Sequence, residues 1–402
     1  MGLWDELPLV TKAGENDRRP NPFTSAKQNA YLFRDKFDNG DVASIPDATV
    51  RASAPGPGEL TFAAPGGNEF TVANNRLQWT GANLTGGSFS DEYVKVSKVL
   101  GGGGTIAREA GRMMLSAMMN NSGSPSVFSS AVVGFCTGAP SGFSVFNAGL
   151  GGWLNNLTII DSGASLSFES LLGNTEYQFA VVLNSTSDKG AYYFIRGGAY
   201  TNWTLAWICD GGASTDLIPT CVPAVCNGVG YIDDWRIPLR KWLPAADYSI
   251  ATAPPSSTEI GIGTADFMLD ITVTRTGTGG GNVVTFTARQ SGSTGLRCTI
   301  SDAGNVTVTN TDNLETITFS AGVVADTQTW TVRLVTLGSS VRAYVHRAGT
   351  TTWTQGTGSP KTWTFNQSVT SILAGINNTA GIIAVNSVKI WKRDWSGEFP
   401  SV

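Results

Sequence analysis

Apolar and polar residues alternate in short runs along most of this chain. The clearest run is Phe267–Arg275, FMLDITVTR, followed by Thr329–Leu337 and residues 341–347. A period of two predicts strands that bury one face. Residues 31–243 carry the same signal at 127–135, 143–146, 157–161, 166–168, 177–183, 191–196 and 203–208. Residues 283–289, 296–301, 305–310, 315–319 and 382–391 continue it. Turn sequences such as Asp161-Ser162-Gly163, Asp188-Lys189-Gly190 and Asp302-Ala303-Gly304 separate the runs. One stretch, 105–120, has a passable helical pattern, but its counterpart at 267–274 alternates, so residues 113–119 are expected to be a strand.

That counterpart exists because the chain repeats itself, a signal to be sought first. YIDDWRIPLRKW at 231–242 returns as AVNSVKIWKRDW at 384–395, with Ile237, Arg240 and Trp242 matching Ile390, Arg393 and Trp395 at an offset of 153. Residues 179–183 match 330–334, and Tyr193 and Arg196 match Tyr344 and Arg347, at an offset of 151. Met114-Leu115 matches Met268-Leu269 at 154. The expectation is an all-β chain of two tandem antiparallel sandwiches, at 31–243 and 259–402, joined by a Pro-bearing linker at 244–258. No helical crossovers are visible that would permit parallel strands. The cysteine-bearing stretch 209–230 lacks a counterpart and reads as a surface loop.

Composition narrows the function. Only 14% of the residues are charged and the net charge is −4, which excludes the basic face that phosphate neutralisation needs. No apolar run is long enough to cross a membrane as a helix. The five cysteines are an odd number, so no disulfide framework is expected, although one local bridge among Cys209, Cys221 and Cys226 is possible. His346 is the single histidine and is far from those cysteines in sequence, so no zinc site is expected, and no cofactor. Asp233 could help to hold calcium, but a turn-capping role is favoured.

Several stretches resemble a known family. The strand Tyr231-Ile232-Asp233-Asp234-Trp235-Arg236-Ile237, the hairpin of 330–337 with 341–347, and the stretches Phe37-Asp38-Asn39-Gly40-Asp41 and Asn74-Asn75-Arg76-Leu77 look like concanavalin A-like, laminin G-type jelly rolls. The resemblance implies two sheets packed face to face, with edge loops that often bind sugars, and a family spanning adhesion, glycan binding and glycoside hydrolysis.

Hydrolysis requires two carboxyl groups across one bond, normally at alternate positions of a strand. Asp233 and Asp234 are adjacent and are expected to point to opposite faces. Asp270 stands alone in its strand, and the second copy has Asn386-Ser387 where the first has Asp233-Asp234. No catalytic residues are assigned. Sugars stack on aromatic faces, and Trp153, Tyr200, Trp203, Trp353 and Trp363 flank Gly-, Thr- or Asn-rich segments, which makes them the candidate glycan-binding rings.

Residues 1–30 differ from the rest in carrying Pro20, Pro22 and a charged run with few large apolar side chains. They read as an extended docking arm anchored by Trp4, Leu7, Leu9 and Val10. The start lacks a basic-then-apolar secretory pattern. Taken together, the chain resembles a virion component made in a host cytoplasm, such as a phage tail fibre, spike or decoration protein. Its partners would be other virion proteins through the arm and a host surface polysaccharide, and its assembly a homo-oligomer such as a trimer. The alternative is a secreted microbial carbohydrate-binding protein or glycosidase accessory module. On the virion reading, Trp4→Ala should cost about 2 kcal/mol or more of attachment without changing the melting of the sandwiches. Removal of residues 1–29 should leave a folded protein absent from purified particles, as checked by quantifying it there.

Overall fold

The computed structural model describes residues 30–64, 70–80, 92–120, 129–138, 146–153, 156–225, 229–250, 258–261, 265–277, 283–291, 294–363, 371–377 and 382–395. The arm, with Trp4, Leu7, Leu9 and Val10, lies outside them, as does Cys226. Among the described residues every regular element is a strand, and the strands form four antiparallel sheets in two sandwiches.

In the first sandwich the front sheet runs Val42–Ile45, Phe70–Ala73, Arg76–Thr80, Val229–Pro238, Met113–Asn120, Thr175–Leu183, Ala191–Gly197, Tyr200–Cys209. The back sheet runs Ala164–Ser170, Asn156–Asp161, Phe146–Trp153, Ser129–Cys136, Asp216–Val225, Tyr93–Val99, Glu59–Ala63, Val50–Ala52. The Met113–Asn120 stretch is a strand, as its repeat partner requires. The 209–230 stretch is not a surface loop: Asp216–Val225 sits in the middle of the back sheet beside Ser129–Cys136. Leu217, Thr220 and Cys221 are fully buried there, because an apolar run with covered faces is most stable as an interior strand. Cys209 and Cys221 are both buried free thiols.

The second sandwich repeats the centre of the first. Its front sheet runs Tyr248–Ile250, Ile383–Lys392, Phe267–Arg275, Thr329–Leu337, Ser340–Arg347, Trp353–Gln355. The four central strands thus follow the order of Val229–Pro238, Met113–Asn120, Thr175–Leu183 and Ala191–Gly197. Tyr248–Ile250, within the stretch read as linker, is the edge strand of this sheet.

Residue register is only partly shared. Ile237 and Ile390 are both buried in their matching strands. Tyr193 points between the sheets of its own sandwich, where its hydroxyl donates to the Ile160 carbonyl at 2.9 Å, and Met114 shares that face through Val181. Tyr344 and Met268 instead leave their own core and join the hydrophobic cluster of the first sandwich. A slip of one residue flips every side chain to the other face. In these two strands the matched residues therefore sit on opposite faces, whereas residues 179–183 and 330–334 keep theirs, and the outer face of the second front sheet is apolar where Met268 and Tyr344 lie.

That surface packs where Ala164–Ser170 and Tyr200–Cys209, edge strands of the two sheets, lie. Trp207 meets Tyr344 edge to face at 4.8 Å and Trp353 at 5.2 Å. Asp394–Trp395 extends the first front sheet by pairing with Tyr200–Cys209, Trp203 opposite Trp395. Arg393, buried, donates from Nε to the Leu205 carbonyl and from Nη1 to that of Thr336. Arg333 is fully buried between two indoles, 4.4 Å from Trp207 and 4.1 Å from Trp353. It grips Asp270 with two bonds of 2.7 Å and donates to the Ile208 carbonyl.

Two predictions follow from burial. Arg333→Ala leaves the Asp270 carboxylate and a buried carbonyl without their partner, and should lower stability by about 3–5 kcal/mol in a denaturant melt. Asp35 is fully buried, and desolvation outweighs the Phe37 N–H and the Arg51 guanidinium to push its carboxyl from 3.8 up to about 6. The folded state therefore holds a proton that the unfolded chain releases. Its stabilising contribution is complete below the unfolded value and is lost as pH rises through about 6, a change on the order of 3 kcal/mol. Asp35→Asn should flatten that part of the pH dependence of Tm.

Candidate functional site

The outward face of the first front sheet is built around an irregularity in Val229–Pro238. Leu115 pairs with Arg236 and Ala117 with Asp233, so two steps on one strand face three on the other. The extra residue is taken up next to Asp234, which has φ 42°. Such a bulge re-aims side chains. Trp235 stays in the core, while Asp233 and Asp234 both reach the outer face. Strict alternation, which places them on opposite faces, therefore fails at this point.

The rungs on either side supply the rest. Ala117 faces Gln178 and Asp233, and Met119 faces Glu176 and Tyr231. The neighbouring rungs, with Tyr177, Phe179 and Ile232, are buried. Tyr231 donates to Glu176 at 2.8 Å, and Arg76 lies over the Tyr231 ring at 4.1 Å. Arg76 also pairs with Glu176 at 3.5 Å and Asp233 at 3.8 Å. On the other side, Asp234 lies 3.4 Å from Arg34 and 3.3 Å from Arg236. Three carboxylates and three guanidiniums thus share one face.

Leu115, Ala117, Gln178, Trp203, Asp234 and Arg236 line a shallow depression in this face. Oδ1 of Asp234 and Nε of Arg34 are the two atoms of the 3.4 Å ion pair, and they and Nε of Arg236 are buried and make no hydrogen bond. Buried polar atoms without partners are uncommon in folded proteins. An acceptor and donors are therefore left side by side, next to an indole. Desolvation pushes the Asp233 carboxyl up against the opposing pull of the Asp234 N–H and Arg76. Burial, then Glu176, pushes the Tyr231 phenol up, which keeps it a donor.

The rings singled out from sequence lie elsewhere or are covered. Tyr200 is buried and donates to Glu169, which also accepts from Arg342 at 2.9 Å. Trp363 is buried and donates to Glu315 at 2.7 Å. Trp353 has Arg333 at 4.1 Å and a stacked His346 at 4.6 Å. Trp203 is 6% exposed and is the one of these rings that lines the depression. Trp153 ends its strand opposite Asn156. The open faces expected of Tyr200, Trp203, Trp353 and Trp363 are thus taken up by the core and by the contact between the sandwiches. Arg34, Arg76, Glu176, Gln178, Tyr231 and Arg236 were not anticipated. Their trace in the sequence is the spacing Glu176-x-Gln178 and Tyr231-x-Asp233, polar residues two apart in apolar strands. Among the described residues no cluster of His, Cys, Asp or Glu could hold a metal ion.

No protein-family model matches the chain. No curated protein matches it either. Among solved structures it is similar to domains LG4-5 of the mouse laminin α1 chain, with 11% identity and a TM-score of 0.21, over 71% of this chain and 84% of that one. It is also similar to the exoplasmic/lumenal domain of VIP36 in a Ca2+/Man3GlcNAc-bound form, with 11% identity and a TM-score of 0.25, over 37% of this chain and 80% of that one. A mutant of alginate lyase Aly36B in complex with alginate trisaccharide gives 9% identity and a TM-score of 0.31, over 50% of this chain and 98% of that one. At such TM-scores the function of the depression has to be read from its own residues.

Proposed function

We propose that the protein is a glycan-binding tandem sandwich that holds its ligand on the front face of the first sandwich without cleaving it. The observation that carries this reading is the buried Asp234 Oδ1, held by its ion pair with Arg34 Nε at 3.4 Å and by no hydrogen bond, beside the Nε of Arg236, which also makes none, at a depression lined by Trp203. A sugar hydroxyl both donates and accepts, so adjacent hydroxyls can satisfy the carboxylate and a guanidinium together. Site groups left unpaired discriminate strongly in favour of a ligand that pairs them. The carboxylates support binding over proton transfer, because Glu176 and Asp233 share Arg76 and Asp234 lies between two arginines.

The setting we propose is a virion, as a tail-fibre, spike or decoration component that meets a host surface polysaccharide and assembles as a homo-oligomer. Support for that setting comes from the arm, whose apolar residues Trp4, Leu7, Leu9 and Val10 are grouped as a short anchor would be.

Arrays of printed bacterial and animal glycans test the binding. The protein should retain a subset of them. Asp234→Asn and Arg236→Met should each weaken that retention about tenfold or more, with unchanged melting. No reducing ends should be released from the bound glycans. Absence of any retention, or retention indifferent to both substitutions, would overturn the reading. Release of reducing ends that Asp233→Asn abolishes would make the protein an enzyme.

A further inference from the structure

A second cavity lies between the two sandwiches. Ile159, Asp161, Leu166 and Trp207 of the first sandwich line it, and Thr352 and Trp353 of the second close it. It is more enclosed than the front-face depression and mostly apolar, with room for a small substituent and not for a whole sugar ring. Besides the hydroxyls of Ser165, Thr351 and Thr352 and the Cys209 thiol, a carboxyl and an indole N–H break its apolar wall. Asp161 is buried, and its carboxylate accepts from the Gly211 N–H at 3.2 Å, the Ser162 hydroxyl at 3.4 Å and the Cys209 thiol. Burial pushes this carboxyl up against the opposing pull of those three hydrogen bonds. The indole Nε1 of Trp353 is buried and has no hydrogen-bond partner.

We infer that this cavity is a binding site for an acetamido group, as carried by N-acetylated amino sugars. The group's N–H would donate to the Asp161 carboxyl, and its carbonyl oxygen would accept from the Trp353 indole. Its methyl would lie against Ile159, Leu166 and Trp207. The indole N–H then gains the partner it lacks, the carboxyl gains a further donor, and a methyl in an apolar cavity adds favourable burial. Neither sandwich forms the site alone, because the acceptor belongs to the first and the donor to the second. The cavity lies apart from the front-face depression, and either can bind without the other.

Saturation-transfer NMR with the methyl glycoside of N-acetylglucosamine tests this on the full chain, with methyl glucoside as the control sugar. Transfer should be strongest at the acetamido methyl and absent for methyl glucoside. Ala164 lines the cavity and is partly exposed, so Ala164→Phe should plug it and abolish the transfer with little change in melting. Trp353→Phe keeps a ring against Arg333 but removes the donor, and should weaken binding about tenfold. Asp234→Asn should leave the transfer unchanged. The assignment is overturned if the acetamido methyl receives no transfer or if methyl glucoside behaves alike. It is equally overturned if the signal survives both Ala164→Phe and Trp353→Phe, or if it is lost in Asp234→Asn instead.

Discussion

The guanidinium of Arg333 joins the two halves of the molecule. Taking such a group out of water costs several kcal/mol, and the cost is offset only where geometry is good on every side. Here two indoles cover its faces, one from each sandwich. Asp270 grips it from its own sheet, and the Ile208 carbonyl receives it from the other. A planar, delocalised cation fits this slot where a lysine would not. The arrangement fixes where Trp353 stands, and Trp353 in turn closes the cavity between the sandwiches. Glu169, with Tyr200 and Arg342, makes a second buried polar knot across the same seam. The relative placement of the sandwiches is thus set by directional contacts and not by apolar packing alone.

One unit has been put to two uses in this chain. The front sheet of the second sandwich presents Met268, Val335, Tyr344 and Trp391 to the first, so its outer face is consumed by docking. The equivalent face of the first sandwich carries Glu176, Asp233 and Asp234 with their arginines, and each of these carboxylates keeps part of its side chain in solvent. The strands Phe267–Arg275 and Ser340–Arg347, whose matched residues change face, supply Met268 and Tyr344 to the docking surface, since register decides which set of side chains faces out.

Most of the strands could be read from sequence, because a period of two survives wherever a sheet has one covered face. Phe267–Arg275 and Thr329–Leu337 match their expected limits. Asp216–Val225 was missed because an interior strand covered on both sides shows no alternation, and the second copy offered no counterpart to correct the reading. The front-face site was missed for a different reason. Alternation assigns Asp233 and Asp234 to opposite faces, and only the bulge brings them together. Tyr200 and Trp353 looked like open rings because their neighbours in sequence are those of loops. What covers them comes from other strands: Glu169 takes the Tyr200 hydroxyl, and Arg333, His346 and the first sandwich's Trp207 surround Trp353.

The pairing of Asp394–Trp395 with Tyr200–Cys209 has a consequence for synthesis. The edge of the first front sheet is finished by a strand that lies about 185 residues later in the chain. At ordinary elongation rates that interval is about ten to forty seconds. Throughout it, a nascent first sandwich would present Trp203 and Trp207 on an unpaired edge, the kind of surface that templates association between chains. Translation speed and chaperone occupancy over the second half of the message would then govern the yield of folded protein, even though the first half carries a nearly complete domain.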